Sequence, residues 1–198
     1  MWNERYAGDE YFYGTEPNTF LADNAKLLTG PVLSLCEGEG RNAVFLASLG
    51  LDVLGVDASE VGLAKAQKLA AAKGVTIRTE VADLAVYEPP INTFGSVVSI
   101  FAHLPSSLRT RLYPLVLRSL KPGGIVLLEA YTPAQIPRDT GGPKDPDMLM
   151  SAVGLRREFP NCEVILAREL DRNIAEGLHR SSGVGSVVQF IGRKKVSL

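Results

Sequence analysis

The chain has little to cross-link it, little to anchor it in a membrane and no surplus of either charge. Its 198 residues include two cysteines, Cys36 and Cys162, too few for a disulfide framework and a sign of a reducing compartment. With only two histidines, His103 and His179, no metal centre is expected. No apolar run approaches the roughly 20 residues of a membrane span. The opening Met1-Trp2-Asn3-Glu4-Arg5-Tyr6 lacks the apolar core of a secretion signal, so a soluble, cytoplasmic protein is expected. Basic and acidic residues number 21 and 22, for a net charge of −1. No cluster of lysines and arginines is long enough to follow a phosphate backbone, which argues against nucleic acid as partner. The basic Arg193-Lys194-Lys195 reads as a solvated end.

What remains is 45% apolar, enough for one globular domain, as a monomer or weak homodimer. Residues 1–30 form an aromatic-rich leader with Trp2, Tyr6, Tyr11, Phe12, Tyr13 and Phe20. Its second half, Asn18 to Leu28, suits an amphipathic helix capped by Asn18. From residue 31 short apolar runs alternate with helical segments. Strands are expected at 32–35, 52–56, 76–81, 96–101 and 124–129, and helices at 41–49, 60–73 and 106–120. This alternation implies a parallel sheet covered on both faces. Residues 132–146 hold four prolines and two glycines and are expected to be a long, irregular, functional or mobile loop. A short helix fits 147–158. Strands at 162–171 and 185–194, joined by a loop of about 13 residues, are too close for a helical crossover and should pair antiparallel.

The chemistry starts at Val32-Leu33-Ser34-Leu35-Cys36-Glu37-Gly38-Glu39-Gly40-Arg41-Asn42-Ala43. A buried strand runs into a glycine turn and then into a helix, whose first N–H groups are open to an anion or polar ligand. A second strand follows and ends on Asp57, a carboxylate placed to take both hydroxyls of a ribose. Two cofactors fit this layout. Gly38-x-Gly40-x-x-Ala43 satisfies the dinucleotide pattern, and Asp57 stands 19 residues beyond Gly38, close to the usual interval of about 20. Against a short-chain dehydrogenase, none of the six tyrosines is followed four residues later by lysine; those positions hold Glu10, Thr15, Pro17, Ile91, Leu117 and Gln135.

The ordered set of glycine loop, Asp57, Asp83-Leu84 after the third strand and Leu120-Lys121-Pro122-Gly123-Gly124 before the fifth resembles the class I S-adenosylmethionine-dependent methyltransferases. Trp2-Asn3-Glu4-Arg5-Tyr6, Tyr13-Gly14-Thr15-Glu16-Pro17-Asn18 and Phe101-Ala102-His103-Leu104-Pro105 are similar to their tellurite-resistance and thiopurine branch of small-molecule enzymes. The resemblance covers nearly the whole chain. It implies one doubly wound Rossmann-like α/β domain with a mostly parallel seven-stranded sheet, order 3-2-1-4-5-7-6, and an antiparallel last strand. It also implies methyl transfer from S-adenosylmethionine to a small molecule, leaving S-adenosylhomocysteine. Gly38, Gly40 and Asn42 would lie against the cofactor, Asp57 would hold the ribose, and Ala58 would touch the adenine. Asp83 and the Leu84 main chain would read the adenine edge, and Phe101 and His103 would border the sulfur and the acceptor's mouth. His103 is then the candidate base. The leader, with Arg5, Tyr6, Tyr11 and Tyr13, would fold over the cofactor as a lid, and His179 could reach the same mouth.

The loop departs from the family twice: Ser34 replaces the acid at the strand end, and Cys36 replaces the first glycine. Glu37 is the candidate to supply the missing carboxylate to the methionine ammonium, against a solvent-facing alternative. Cys36 reads as a small buried filler rather than a nucleophile. No acid–base constellation is evident, which leans toward a soft or already ionised acceptor such as a thiolate or a reduced metalloid. The alternatives are a non-catalytic S-adenosylmethionine-binding module and a NAD-dependent oxidoreductase.

Overall fold

Seven strands form one sheet in the order β3-β2-β1-β4-β5-β7-β6. The computed structural model describes residues 2–138, 140–176 and 179–196, without the side chains of 176 and 179–182. The strands are β1 (Val32–Leu35), β2 (Val53–Asp57), β3 (Arg78–Val81), β4 (Phe94–Ile100), β5 (Leu120–Tyr131), β6 (Cys162–Glu176) and β7 (His179–Lys194). The helices are α1 (Trp2–Tyr6), α2 (Thr19–Asn24), α3 (Arg41–Ser48), α4 (Glu60–Ala72), α5 (Ser106–Ser119) and α6 (Ala152–Glu158). Strands β1 to β5 run parallel, and β7 lies antiparallel to both β5 and β6. This is the Rossmann-like α/β architecture and strand order expected from the sequence.

Strands β1, β2 and β4 are buried along their whole length, because helices cover both faces of a parallel sheet. Successive residues point to opposite faces. Leu33, Leu35, Val97 and Leu128 join Leu112 and Tyr113 of α5, with Leu155 of α6, in one core. Val32, Val53, Val98 and Leu127 join Leu21, Leu46 and Leu69 of α2, α3 and α4 in the other. Strand order reverses at β1, which pairs with β2 on one side and β4 on the other. Ligands of open α/β sheets bind beyond the carboxyl ends of strands at this switch point.

The α2 cap is as expected: Asn18 Oδ1 accepts from Leu21 N at 3.0 Å. Two expectations need correction. The last two strands are not separated by 13 residues; β6 and β7 continue as a hairpin to Glu176 and His179, and the ladder pairs Arg172 with Gly185 and Asn173 with Val184. The segment 132–146 is not irregular throughout. It contains a 3₁₀ turn at Pro133–Arg138, strapped to the hairpin by Arg138, which forks onto Asp171 at 2.8 and 2.9 Å, and by Gln135, whose Oε1 accepts from Ser186 N at 2.8 Å. Among the described residues no helix is long and apolar enough to cross a membrane.

Glu129, at 0% exposure near the end of β5, joins three parts of the molecule. It is paired with Arg172 of β6, accepts from Gln189 of β7 at 2.5 Å and from Asn18 of the leader at 2.9 Å. Removing one partner of a buried ion pair strands the other, so Glu129→Ala should cost about 3 kcal/mol of stability in urea unfolding. A loss below about 1 kcal/mol, the scale of an exposed pair, would contradict this role.

Candidate functional site

The turn from β1 into α3 needs left-handed backbone at three alternate residues: φ is +52° at Cys36, +60° at Gly38 and +93° at Gly40. Glycine tolerates this readily and cysteine does not, so Cys36 sits where the pattern that the loop resembles carries a glycine. Gly40 is required for a second reason. A Cβ there would lie 2.5 Å from the Ala66 Cβ of α4, so its absence lets α3 and α4 close together. Burial first, then Asp57 and Glu37, push the Cys36 thiol pKa up to about 12, which disfavours the thiolate a nucleophile needs.

Gly40 is the N-cap residue of α3 and has no side chain to cap with. Glu37 does this from below the loop: its Oε1 accepts from Ala43 N at 2.9 Å, and its Oε2 accepts from the Ser34 hydroxyl. The solvent-facing alternative for Glu37 is ruled out by its 6% exposure. Burial pushes its pKa up to about 6, opposed by the Ser34 hydroxyl, the Ala43 N–H and the Arg41 charge.

Asp57, 8% exposed, accepts from Gly38 N at 2.9 Å and Ser59 N at 2.8 Å. Burial raises its pKa against the pull of main-chain N–H groups from Ser59, Gly38 and Ala58. Two desolvated carboxylates thus flank one glycine loop. Hydroxyl donors at Asp57 and an ammonium at Glu37 would compensate them, which fits a nucleoside carrying an amino-acid tail. Ala58 is exposed beside Asp57. Asp83 is also exposed and caps its own turn, Oδ1 accepting from Ala85 N at 2.9 Å, while the Leu84 side chain belongs to the core.

The leader lies over this loop. Tyr6 is buried, and Cβ atoms placed on Gly38 and Gly62 would come within 2.8 and 2.9 Å of its ring atoms and hydroxyl. Burial, then Asp57, raises its pKa. Asn42 Oδ1 accepts from Asn18 N at 3.0 Å, joining α3 to the α2 cap. Arg5 points elsewhere: it is exposed and stacks on the leader's own Trp2 and Phe12 rings at 4.9 and 5.2 Å, with Tyr13 Oη 3.4 Å away. A cavity of about 480 Å³ opens between Tyr13, Glu16 and Pro17 of the leader, Arg41 of α3 and Arg172 of β6.

Beyond β4, Phe101 takes φ +52° and gives its N–H to the Glu129 carbonyl at 2.8 Å. Its ring meets Tyr131 at 4.8 Å, with the Arg172 guanidinium 5.9 Å above it. His103 stacks on Tyr131 at 5.3 Å. Its Nε2 accepts from Tyr131 N at 3.0 Å, and the ring donates a second hydrogen bond to the Phe101 main chain. Burial lowers its pKa to about 4. This geometry suits a neutral histidine that fastens β4 to β5 better than a base. The backbone of His179 opposes Glu176 in the hairpin, and its side chain lies outside the described residues.

Sequence reasoning did not single out Lys65, which pairs with Glu39, or the Glu129–Arg172–Gln189 cluster. A lone acid within the apolar run Ile125–Ala130 was the available signal for the latter.

A family model described as a methyltransferase domain matches residues 32–124. The 2-heptyl-1-hydroxyquinolin-4(1H)-one methyltransferase of Mycobacteroides abscessus is 29% identical over 117 residues, 58% of this chain and 52% of that protein. The chain therefore spans about half the length of this curated relative. The fold is shared with a protein whose structure concerns the conversion of a disulfide bond into a thioacetal group during echinomycin biosynthesis (TM-score 0.77, 20% identity, 98% of this chain and 91% of that one). It is shared too with TehB from Haemophilus influenzae (TM-score 0.70, 18% identity, 98% of this chain and 66% of that one). The match to a methyltransferase domain points to S-adenosylmethionine rather than NAD as the cofactor.

His103 is held neutral in the fold, so its contribution to stability is complete above its unfolded pKa of about 6.5 and is lost as pH falls toward about 4. Unfolding midpoints in urea should therefore drop over that window, and the drop should shrink in His103→Phe. An unchanged pH profile in the variant would show that His103 is not the buried group.

Proposed function

We propose that this chain, whose fold and matched domain are those of the S-adenosylmethionine-dependent methyltransferases, methylates a small molecule that reaches the site as a soft or already ionised nucleophile. A thiolate or a reduced selenium or tellurium species is the favoured acceptor, in keeping with the resemblance to the tellurite-resistance and thiopurine branch. The observation that carries this reading is the pair of buried carboxylates, Glu37 and Asp57, bracketing a left-handed glycine loop under an aromatic leader.

When bound, the cofactor supplies a methyl group already activated on a sulfonium. The chain's own residues then bind, orient and keep water out. Asp57 would accept from the ribose hydroxyls, and Glu37 with Ser34 would face the ammonium. Gly38 and Gly40 let the main chain approach closely, and Tyr6 with the rest of the leader covers the loop. Phe101, His103 and Tyr131 form the aromatic wall beyond β4. Alignment and exclusion of water account for most of what such a displacement needs. An amine or neutral hydroxyl would also need a base with a pKa near the operating pH; the His103 Nε2 already accepts from Tyr131 N and its pKa is lowered by burial, which favours an acceptor that needs no base. The leader cavity between Arg41 and Arg172 is the candidate entrance for the acceptor.

The test is conversion of S-adenosylmethionine to S-adenosylhomocysteine with thiols, selenite, tellurite, small amines and a hydroxyquinolinone, the last because a relative's name carries it. Turnover confined to thiols or metalloids under reducing conditions supports the reading. Turnover with amines alone contradicts the base-free chemistry. Tight product binding with no turnover on any acceptor favours a binding module.

Two further outcomes follow from the carboxylates. Asp57→Ala should weaken S-adenosylhomocysteine binding by about 1.5–3 kcal/mol, the scale of lost charged hydrogen bonds; unchanged affinity in calorimetry would overturn the ribose assignment. Glu37 has a raised folded pKa of about 6, and an ammonium beside it would favour the ionised form. Affinity should therefore fall as pH drops through about 6, with protons released on binding, and Glu37→Gln should abolish that release. Binding that is independent of pH from 7.5 to 5 would remove Glu37 from the site.

A further inference from the structure

We propose that Lys65 is a positioning residue for cofactor binding, holding the leader closed so that Tyr6 stays over the glycine loop. The inference rests on reading that loop as the S-adenosylmethionine site. Lys65 stands in the second turn of α4 and is 8% exposed. Its ammonium donates to the carbonyls of Glu10 at 2.7 Å, Gly8 at 2.9 Å and Tyr6 at 3.4 Å. It pairs with the carboxylate of Glu39, and it sits 4.9 Å from the Tyr11 ring. The Tyr11 hydroxyl returns a bond to the Lys65 carbonyl at 3.1 Å, and Glu39 also accepts from Phe12 N at 2.7 Å.

The start of the leader is also held at Asn3, whose Oδ1 accepts from the Ser59 hydroxyl at 2.6 Å, but Lys65 is where residues 6–10 converge. Helix α1 is five residues long, and of these only Tyr6 is buried; a helix this short does not persist alone. Residues 7–10 are exposed. Their main chain bends around one ammonium, whose desolvation is offset only while all these oxygens remain in place. Glu39 lies between Gly38 and Gly40, so the same charge grips the loop that receives the cofactor and the segment that covers it. Loosening either should loosen both.

The experiment compares Lys65→Met, Tyr6→Ala and the double variant with the full wild-type chain. Three quantities are measured: S-adenosylhomocysteine affinity by calorimetry, the rate of proteolytic cleavage within residues 1–12 without ligand, and the thermal unfolding midpoint of the core. Methionine keeps the apolar stem and removes the charge. Lys65→Met should weaken binding about tenfold or more and expose the leader to cleavage; it should also lower the core midpoint, because Glu39 is left buried without its cation, so binding and cleavage are compared well below that midpoint, where the core is folded. The double variant should bind within about threefold of the weaker single variant, because both act through one contact. Lys65→Arg, which keeps a cation, should recover much of the affinity and protection, and it decides the matter if Lys65→Met fails to fold. Wild-type affinity within about twofold in Lys65→Met with a protected leader, or full additivity in the double variant, would overturn the proposal. Failure of the wild type to bind S-adenosylhomocysteine would instead overturn the cofactor reading; leader cleavage still reports whether Lys65 fastens it.

Discussion

The site depends on one helix start that cannot cap itself. Gly40 must be glycine because Ala66 leaves no room for a side chain and the backbone is left-handed. The first turn of α3 would then lack a side-chain partner, and Glu37 supplies one from three residues upstream. The same carboxylate takes the Ser34 hydroxyl, at the position where the resembling family carries its acid. Two acids at positions 34 and 37 would repel across a dry gap. Ser34 instead donates its hydroxyl to Glu37, and under the proposed function the carboxylate is moved from position 34 to position 37. Its neighbour on β2 is Gly55, where a Cβ would come within 3.0 Å of Glu37 Cγ.

Around that turn the structure uses buried charge to fasten segments that apolar packing alone would not hold. Glu39 and Lys65 secure the leader to α4 and the glycine loop. Glu129 and Arg172 secure β5, the C-terminal hairpin and the α2 cap. Arg109 of α5 does the same for the third flank, reaching Glu158 of α6 at 3.0 Å and the Asp147 carbonyl at 2.9 Å. Each is short of water, so each is costly to break and selective for one arrangement. The glycine loop, the aromatic wall beyond β4 and the leader therefore hold a fixed relation without a large apolar interface among them.

Much of this was legible in the sequence, for identifiable reasons. Strands β1, β2 and β4 announce themselves as apolar runs because both their faces are covered, and the glycine spacing and Asp57 follow from the chemistry of the turn. The hairpin was legible only in part. Residues 172–185 are mostly polar or glycine, so they lack apolar alternation, yet the main-chain ladder continues as far as Glu176 and His179. Residues 132–146 look unstructured by composition because Gln135 and Arg138 order them through contacts with distant strands. Lys65 looked like an ordinary lysine on an amphipathic helix, since its partners are carbonyl oxygens that no side-chain pattern records. Gly95, at the start of β4, has a steric cause that the sequence does not show: a Cβ there would lie 2.6 Å from the Thr29 carbonyl oxygen.

The most direct test of the account is a crystal structure of the full chain with S-adenosylhomocysteine. The account predicts ribose hydroxyls on Asp57, the amino group beside Glu37 and Ser34, and the sulfur directed toward Phe101, with Tyr6 still covering the loop. A ligand bound elsewhere, or one seated in the loop with its amino group remote from Glu37, would contradict it.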